Sequence, residues 1–245
     1  MGLKLLRRIL LFLLLPLCLA AAEIEEFSAP FEPDLLLHKS GFSLGYSNTY
    51  RQALWVSYTL TAEHLQIQQI RRRDRFKTDP EVKRNPVRPR DYAGSGYDKG
   101  HLAPAADMTY SVQSMNSSFL MSNISPQHPG CNRGIWKRLE HQVRQWALKE
   151  GKILVVTGPV FSAAPAVAGK SAIPVPSAFY KVIYDLTPPV KMIGFVVPNE
   201  TSKRRVASFA VPVDEVEKIT GYDFFSELDD ELEKRLEKEC DFQKW

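Results

Sequence analysis

This chain of 245 residues carries only three cysteines, Cys18, Cys131 and Cys240. None stands in a C-x-x-C pair, so spacing argues against a thiolate zinc site. There is no internal repeat and no low-complexity linker, which removes solenoid and tandem-domain architectures. Beyond residue 22 no apolar run is long enough for a membrane-spanning helix. Charge of one sign is scarce in the total, since 32 Lys and Arg against 28 Asp and Glu leave only +4. A polyanionic partner must therefore be argued from where the charges lie.

What is present begins with a leader. Residues 1–22, MGLKLLRRILLFLLLPLCLAAA, join Lys4, Arg7 and Arg8 to an apolar run and three closing alanines. Acidic EIEE follows. This layout predicts a secretory signal peptide cleaved near Ala22, and so an exported protein, periplasmic or extracellular. The run is short for a retained anchor. Leu17 ahead of Cys18 does not fit a lipoprotein signal. Removing the leader's three basic residues takes +4 to +1 and leaves 223 residues (245 less 22), enough for one sizeable core. In an exported chain Cys131 and Cys240 are open to pairing or to remaining thiols. Asn116-Ser-Ser and Asn199-Glu-Thr fit the glycosylation pattern.

The charges are unevenly placed. Residues 71–90, RRRDRFKTDPEVKRNPVRPR, hold nine Lys and Arg against three acids, whereas residues 213–245 hold twelve acids against five Lys and Arg. The first segment suits phosphate and the second repels it. The acidic tail reads as a solvated amphipathic helix, with a partner chain as the alternative.

Hydrophobic patterning predicts a single α+β domain over 41–245, after an extended lead-in at 23–40. Phe42–Tyr46 and Ala53–Leu60 read as a strand pair. Residues 77–97, with Pro80, Pro86 and Pro89, read as a long loop of the kind that carries function. A strand is expected at Phe119–Met121. Ile135, Trp136, Leu139, Val143, Trp146 and Ala147 recur at helical spacing, and Gly151 ends that helix. KILVVTGPVF, SAFYKVIYDL and VKMIGFVVPN read as further strands, and Pro212–Asp214 as the start of another helix.

Within the stretch YDKGHLAPAADM, His101 follows a glycine in polar surroundings. Hydrolysing a phosphodiester requires a base for water, positive charge for the pentacovalent state and stabilisation of the leaving alkoxide. A neutral imidazole with a pKa of about 6.5 can serve as that base. Asp98 is placed to orient a neighbour, contact a metal or face substrate. Asn132, Glu140 and Arg144 stand at i, i+8 and i+12. At ~100° per residue they share about a third of a helix's circumference. An amide oxygen, a carboxylate and a guanidinium there suit a hydrated cation beside a phosphate. An N-cap and an ordinary i,i+4 ion pair explain the same residues without function.

Three blocks occur in order: DKGH with LAPAADM, then SFLMSNISPQ, then CNRGIWKRLE. Together they resemble the DNA/RNA non-specific endonuclease family, the ββα-metal nucleases that include mitochondrial endonuclease G. The family pattern is D-R-G-H, then S-N-[IV]-x-P-Q, then N-x-x-x-W-x-x-L-E. The similarity spans roughly residues 40–215. It implies an α+β fold with a central, mainly antiparallel sheet and a metal-site helix.

The resemblance implies roles residue by residue. His101 matches the general base, and Asn132 the direct ligand of magnesium, for which manganese can substitute. Glu140 matches the acid that holds metal-associated water. Asn123 lies near the base and the reacting phosphate, and Arg144 matches a phosphate contact. An upstream arginine stabilises the transition state; Arg72 is the first choice, with Arg73 and Arg75 behind it. Lys99 stands where the motif has arginine, which keeps the charge and loses the bidentate fork. Asp98 and Lys99 are assigned to the substrate side. The implied activity is hydrolysis of DNA and RNA to 5′-phosphate and 3′-hydroxyl ends, with a homodimer as the implied assembly. Two other readings stay open. A nuclease fold that binds nucleic acid without cutting rests on Lys99 alone. A serine nucleophile at Ser122 or Ser125 with His101 lacks a nucleophile elbow around either serine.

Overall fold

The computed structural model describes residues 33–67 and 70–245. The expected leader and the first part of the lead-in lie outside them. In chain order the first elements are β1 (Leu35–Lys39), β2 (Phe42–Ser47), β3 (Gln52–Thr61) and α1 (Ala62–Gln66). Next come β4 (Asp98–His101), α2 (Val112–Ser118), β5 (Ile124–Gln127) and α3 (Lys137–Glu150). The strands β6 (Lys152–Val160), β7 (Val167–Ala168), β8 (Ile173–Pro174), β9 (Ala178–Asp185), β10 (Lys191–Pro198) and β11 (Ala210–Val211) follow. The chain ends in α4 (Val213–Thr220) and α5 (Asp230–Lys238).

Seven strands form one sheet in the order β1-β2-β3-β6-β9-β10-β11. Every neighbouring pair is antiparallel. The central strands are buried on both faces, because side chains alternate. Val56, Tyr58, Val155, Ile183 and Phe195 face one core, with Leu139, Val143, Trp146 and Ala147 of α3. Trp55, Leu154, Val156, Tyr180 and Val182 face the other, with Val213 and Val216 of α4 and Leu236 of α5. The result is a sheet between two helical layers. Each fully buried large apolar side chain contributes about 1.5–3 kcal/mol, and Thr61, Ser111 and Asp229 cap the N-termini of α1, α2 and α5 with their side chains. Gly151 ends α3 at φ 88°, a conformation that glycine adopts at little cost.

Three sequence expectations shift. The strand expected at Phe119–Met121 lies at Ile124–Gln127 instead. Phe119 N–H caps α2 on the Asn116 and Ser117 carbonyls, which keeps that turn helical. Residues 35–39 of the lead-in join the sheet, with Leu37 buried. The acidic tail is docked rather than fully solvated, since Leu236 and Glu237 are buried. Cys131 is buried, Cys240 is exposed, and both are free thiols. The string Gly41-Phe-Ser-Leu-Gly45 matches G-x-S-x-G, but it runs from the β1–β2 turn into β2 and makes no strand-to-helix elbow.

The long loop at 77–97 is pinned at several points. Buried Lys39 pairs with Asp79 at 2.8 Å and Glu81 at 2.6 Å. Ser122 Oγ donates to the same Asp79 oxygen that Lys39 meets, Oδ2, over 2.5 Å. Arg51 Nε donates to the Asn85 carbonyl at 3.3 Å.

Candidate active site

β4 and β5 form a two-stranded antiparallel ribbon that pairs Asp98 with Gln127, Gly100 with Ser125 and His101 with Ile124. A Cβ at position 100 would run into the Gln127 side chain. The glycine of DKGH is therefore what lets the two strands close. The chain then runs from β5 through a wide helical turn, Cys131–Trp136, into α3. Two strands and a helix thus bring DKGH, SPQ and CNRGIW together.

His101 is 9% exposed. Phe119 meets its ring edge-on at 4.9 Å, and Phe76 lies at 5.4 Å. Its Nε2 is enclosed and has no hydrogen-bond partner. Burial and then the nearby Arg72 guanidinium push the imidazole pKa down to about 3, against a smaller opposing pull from Asp74. The ring is neutral across the physiological range.

Asp98 is only partly exposed. Its carboxylate accepts from Asn132 Nδ2 at 2.8 Å and from Arg133 Nε and Nη2 at 2.8 and 2.6 Å. Burial alone would raise the Asp98 pKa, but these hydrogen bonds outweigh it and hold the carboxyl below its usual range. Because Nδ2 is committed to Asp98, the network assigns the Asn132 amide with Oδ1 as the available acceptor. Asn132 makes no N-cap bond, and Gly134 interrupts the helix between Asn132 and α3. The shared helical sector expected for Asn132, Glu140 and Arg144 therefore does not come from one continuous helix. The ribbon and the kink set Asn132's place.

Glu140 and Arg144 lie on α3 with a buried polar group behind them. Arg144 Nη1 pairs with Asp107 Oδ1 at 2.8 Å, and Tyr58 donates to Asp107 Oδ2 at 2.9 Å. Lys181 of β9 is fully buried, on the same sheet face as Phe179 and Ile183. Its Nζ has no hydrogen-bond partner and lies 4.9 Å over the Trp136 ring. Burial raises the Glu140 pKa and lowers that of Lys181, and each opposes the other's shift by its charge. Arg72 also acts on Glu140, so this one guanidinium senses both the histidine and the α3 carboxylate.

The remaining predicted residues are placed as follows. Arg72 lies 5.5 Å over Phe119 and pairs with Asp74 at 2.6 Å. The electrostatics of His101 and Glu140 involve Arg72 and neither Arg73 nor Arg75. Lys99 lies over the rings of Phe76 at 5.2 Å and Tyr92 at 5.9 Å. Asn123 is fully buried. Its Oδ1 accepts from Ala103 N at 2.9 Å, and its Nδ2 donates to the Ala103 and Ser118 carbonyls at 2.9 Å each. That side chain fixes the loop just after His101.

A cavity of about 510 Å³ runs along the outside of α3, lined by Arg133, Lys137, Arg138, His141 and Arg144. A second, of about 380 Å³, shares Arg138 and continues to Lys203, Arg204 and Arg205. Arg138 Nη2 donates to the Ser202 and Arg204 carbonyls at 3.2 and 3.0 Å, which holds the 202–205 turn against the helix. Sequence reasoning missed Arg133, Lys181 and this KRR turn. Arg133 was visible as the neighbour of Asn132, but its partner Asp98 lies 35 residues away. Lys181 sat inside an apolar strand pattern, which was its only signal.

Comparison with known proteins gives the family and the fold. The family described as DNA/RNA non-specific endonuclease matches residues 20–231. A nuclease of Nostoc sp. (strain PCC 7120 / SAG 25.82 / UTEX 2576) is 32% identical over 219 residues, 84% of this chain and 78% of that protein. The mitochondrial nuclease of Saccharomyces cerevisiae is 31% identical over 232 residues, 85% and 70% of the two chains. Among solved structures, EndoG in its complex with EndoGI superposes with a TM-score of 0.77 at 29% identity, covering 82% of this chain and 89% of that one. A ribbon bearing a neutral histidine, set against a kinked helix with an oriented amide, is what the shared fold carries here, and the chain belongs to the DNA/RNA non-specific endonuclease family of nucleic-acid hydrolases.

Proposed function

We propose that this protein is an exported endonuclease that cuts DNA and RNA with little sequence selectivity, leaves 5′-phosphate and 3′-hydroxyl ends, and uses magnesium, with manganese as a substitute. One observation carries the reading: a desolvated, neutral His101 beside Arg72, on the ribbon whose Asp98 orients Asn132. With Nε2 enclosed, Nδ1 is the nitrogen left to accept a proton from water. His101 takes that proton as the water attacks phosphorus in line. Arg72 offers positive charge to the phosphoryl oxygens.

The donors present fit a hard divalent ion. Asn132 would hold it through Oδ1, with Glu140 accepting from the ion's water shell, and neither is a soft ligand. Such an ion would supply positive charge to the leaving 3′-oxygen. The basic cavities along α3 would follow the sugar-phosphate backbone, and contacts of that kind carry no base information.

The test is cleavage of supercoiled plasmid and of a structured RNA in magnesium, with a chelator arm and a His101→Ala arm. The expected result is fragmentation of both substrates, lost in both control arms. Binding without cleavage in magnesium and in manganese would replace this reading with a binding module. Equal cutting by His101→Ala would remove the histidine from the chemistry.

A further inference from the structure

We propose that α4 and α5 together form a second divalent-cation site, suited to calcium, on the opposite face of the sheet from α3. Carboxylate oxygens of Asp214, Glu217 and Glu237 lie within 4.8 Å of one another. Three carboxylates from two helices suit calcium, which takes 6–8 oxygens in flexible geometry, whereas magnesium keeps several waters and is usually held by one or two carboxylates.

An acidic cluster alone means little, but Glu237 is unusual. It is only 6% exposed, and its Oε1 is enclosed with no hydrogen-bond partner. Leaving a buried carboxylate oxygen without a donor is costly. Burial, then repulsion from Glu217, Glu233 and Asp214, pushes the Glu237 carboxyl up to about 9. Among the described residues no ion pair reaches Asp214, Glu217 or Glu237. The nearby Lys218 pairs with Glu215 at 3.6 Å, and Lys244 with Glu239 at 2.9 Å. The charges that act on Glu217 are likewise acidic, Asp223 and Asp214.

The helices are built to hold this arrangement. Asp214 and Glu217 stand three apart on α4, and Glu233 and Glu237 four apart on α5, so each pair shares a helix face. Glu217 Oε1 accepts from Phe224 N at 2.8 Å, which fixes that carboxylate, and Glu217 and Glu237 are hydrogen-bonded to each other, so an ion would displace the proton they share. Asp214 and Glu217 are only partly buried, so waters can complete the 6–8 oxygens that calcium takes. Glu233 and Glu237 lie beyond residue 231, where the family match ends. The ion would tie the tail helix α5 to α4, which packs on the seven-stranded sheet.

The experiment titrates CaCl₂, and separately MgCl₂, into chelator-treated protein by calorimetry, with thermal melts alongside. It uses wild type, Asn132→Ala to remove the proposed catalytic ion, and the pair Asp214→Asn with Glu237→Gln. One calcium per chain should bind in Asn132→Ala and be lost in the paired variant. At about 10 mM calcium the melting temperature should rise by about 5 °C in the first and not in the second. The single variant Glu237→Gln should fold and cut plasmid normally in magnesium while losing the calcium-dependent rise. Absence of calcium binding in Asn132→Ala overturns the proposal, as does binding that the paired variant retains. A melting temperature that follows pH but not calcium would assign the cluster to proton sharing between Glu217 and Glu237, and would equally overturn it.

Discussion

Asn132 and Asp98, 34 residues apart in sequence, are joined by a hydrogen bond of 2.8 Å from Nδ2 to Oδ2. The acid of DKGH is spent on orienting the amide, and Arg133 locks it there with two further bonds. Removing the carboxylate frees the amide to turn. Asp98→Ala should therefore raise the magnesium concentration for half-maximal cleavage by about 10-fold or more, the usual effect of losing an outer-shell partner. A magnesium activation curve checks this. An unchanged midpoint would mean that Asn132 is held by something else.

His101 gives a pH prediction with a definite sign. Its folded pKa of about 3 lies below the ordinary 6.5. Above pH 6.5 both folded and unfolded states hold it neutral, and it contributes no pH dependence. Between 6.5 and 3 the unfolded chain binds the proton and the folded chain does not, so stability falls as pH falls. Melting temperature measured from pH 7 down to pH 4 should drop less steeply in His101→Gln than in wild type. Identical slopes would show that the imidazole takes up its proton without unfolding.

The buried lysine offers a stability test. Lys181 and Glu140 oppose each other's shifts across the α3 face of the sheet. Lys181→Met removes the cation and leaves the carboxylate with less compensation, at a cost of about 3 kcal/mol. Urea unfolding should show this loss. The double variant Lys181→Met with Glu140→Gln should recover part of it. Simple additivity would mean that the two side chains do not interact.

Lys203 and Arg205 are exposed at the end of the basic cavities. Replacing both with alanine should raise KM for plasmid and lower the salt slope of binding by about 2, or about 0.9 per lost phosphate contact. The turnover number should change little, because neither residue touches the His101 environment. An unchanged salt slope would take the backbone away from this turn.

Much of the site was legible because its blocks are local. DKGH, SNISPQ and CNRGIWKRLE each carry their own geometry, and β4 closes on β5 because Gly100 lies against Gln127. The long apolar strands and the α3 stripe were equally plain, since period and burial agree there. The strand β5 has no periodic signal in sequence, because Pro126 and four buried positions show no alternation. What stayed hidden depends on long-range meetings. Lys181 becomes informative only when its strand is laid under α3. Arg133 gains its role only when Asp98 is brought beside it. The tail looked solvated because its charges are visible in sequence, while the partner for Leu236 is not.

The far margin of the large sheet has a consequence for how the protein behaves when crowded. β11 offers only two residues, Ala210 and Val211, and Pro212 follows at once, leading into α4. A second chain trying to extend the sheet there would meet two backbone positions and then a ring without an N–H. Short edges ended by proline resist strand-to-strand growth. At this side the fold is guarded against the edge recruitment that seeds aggregation and fibrils.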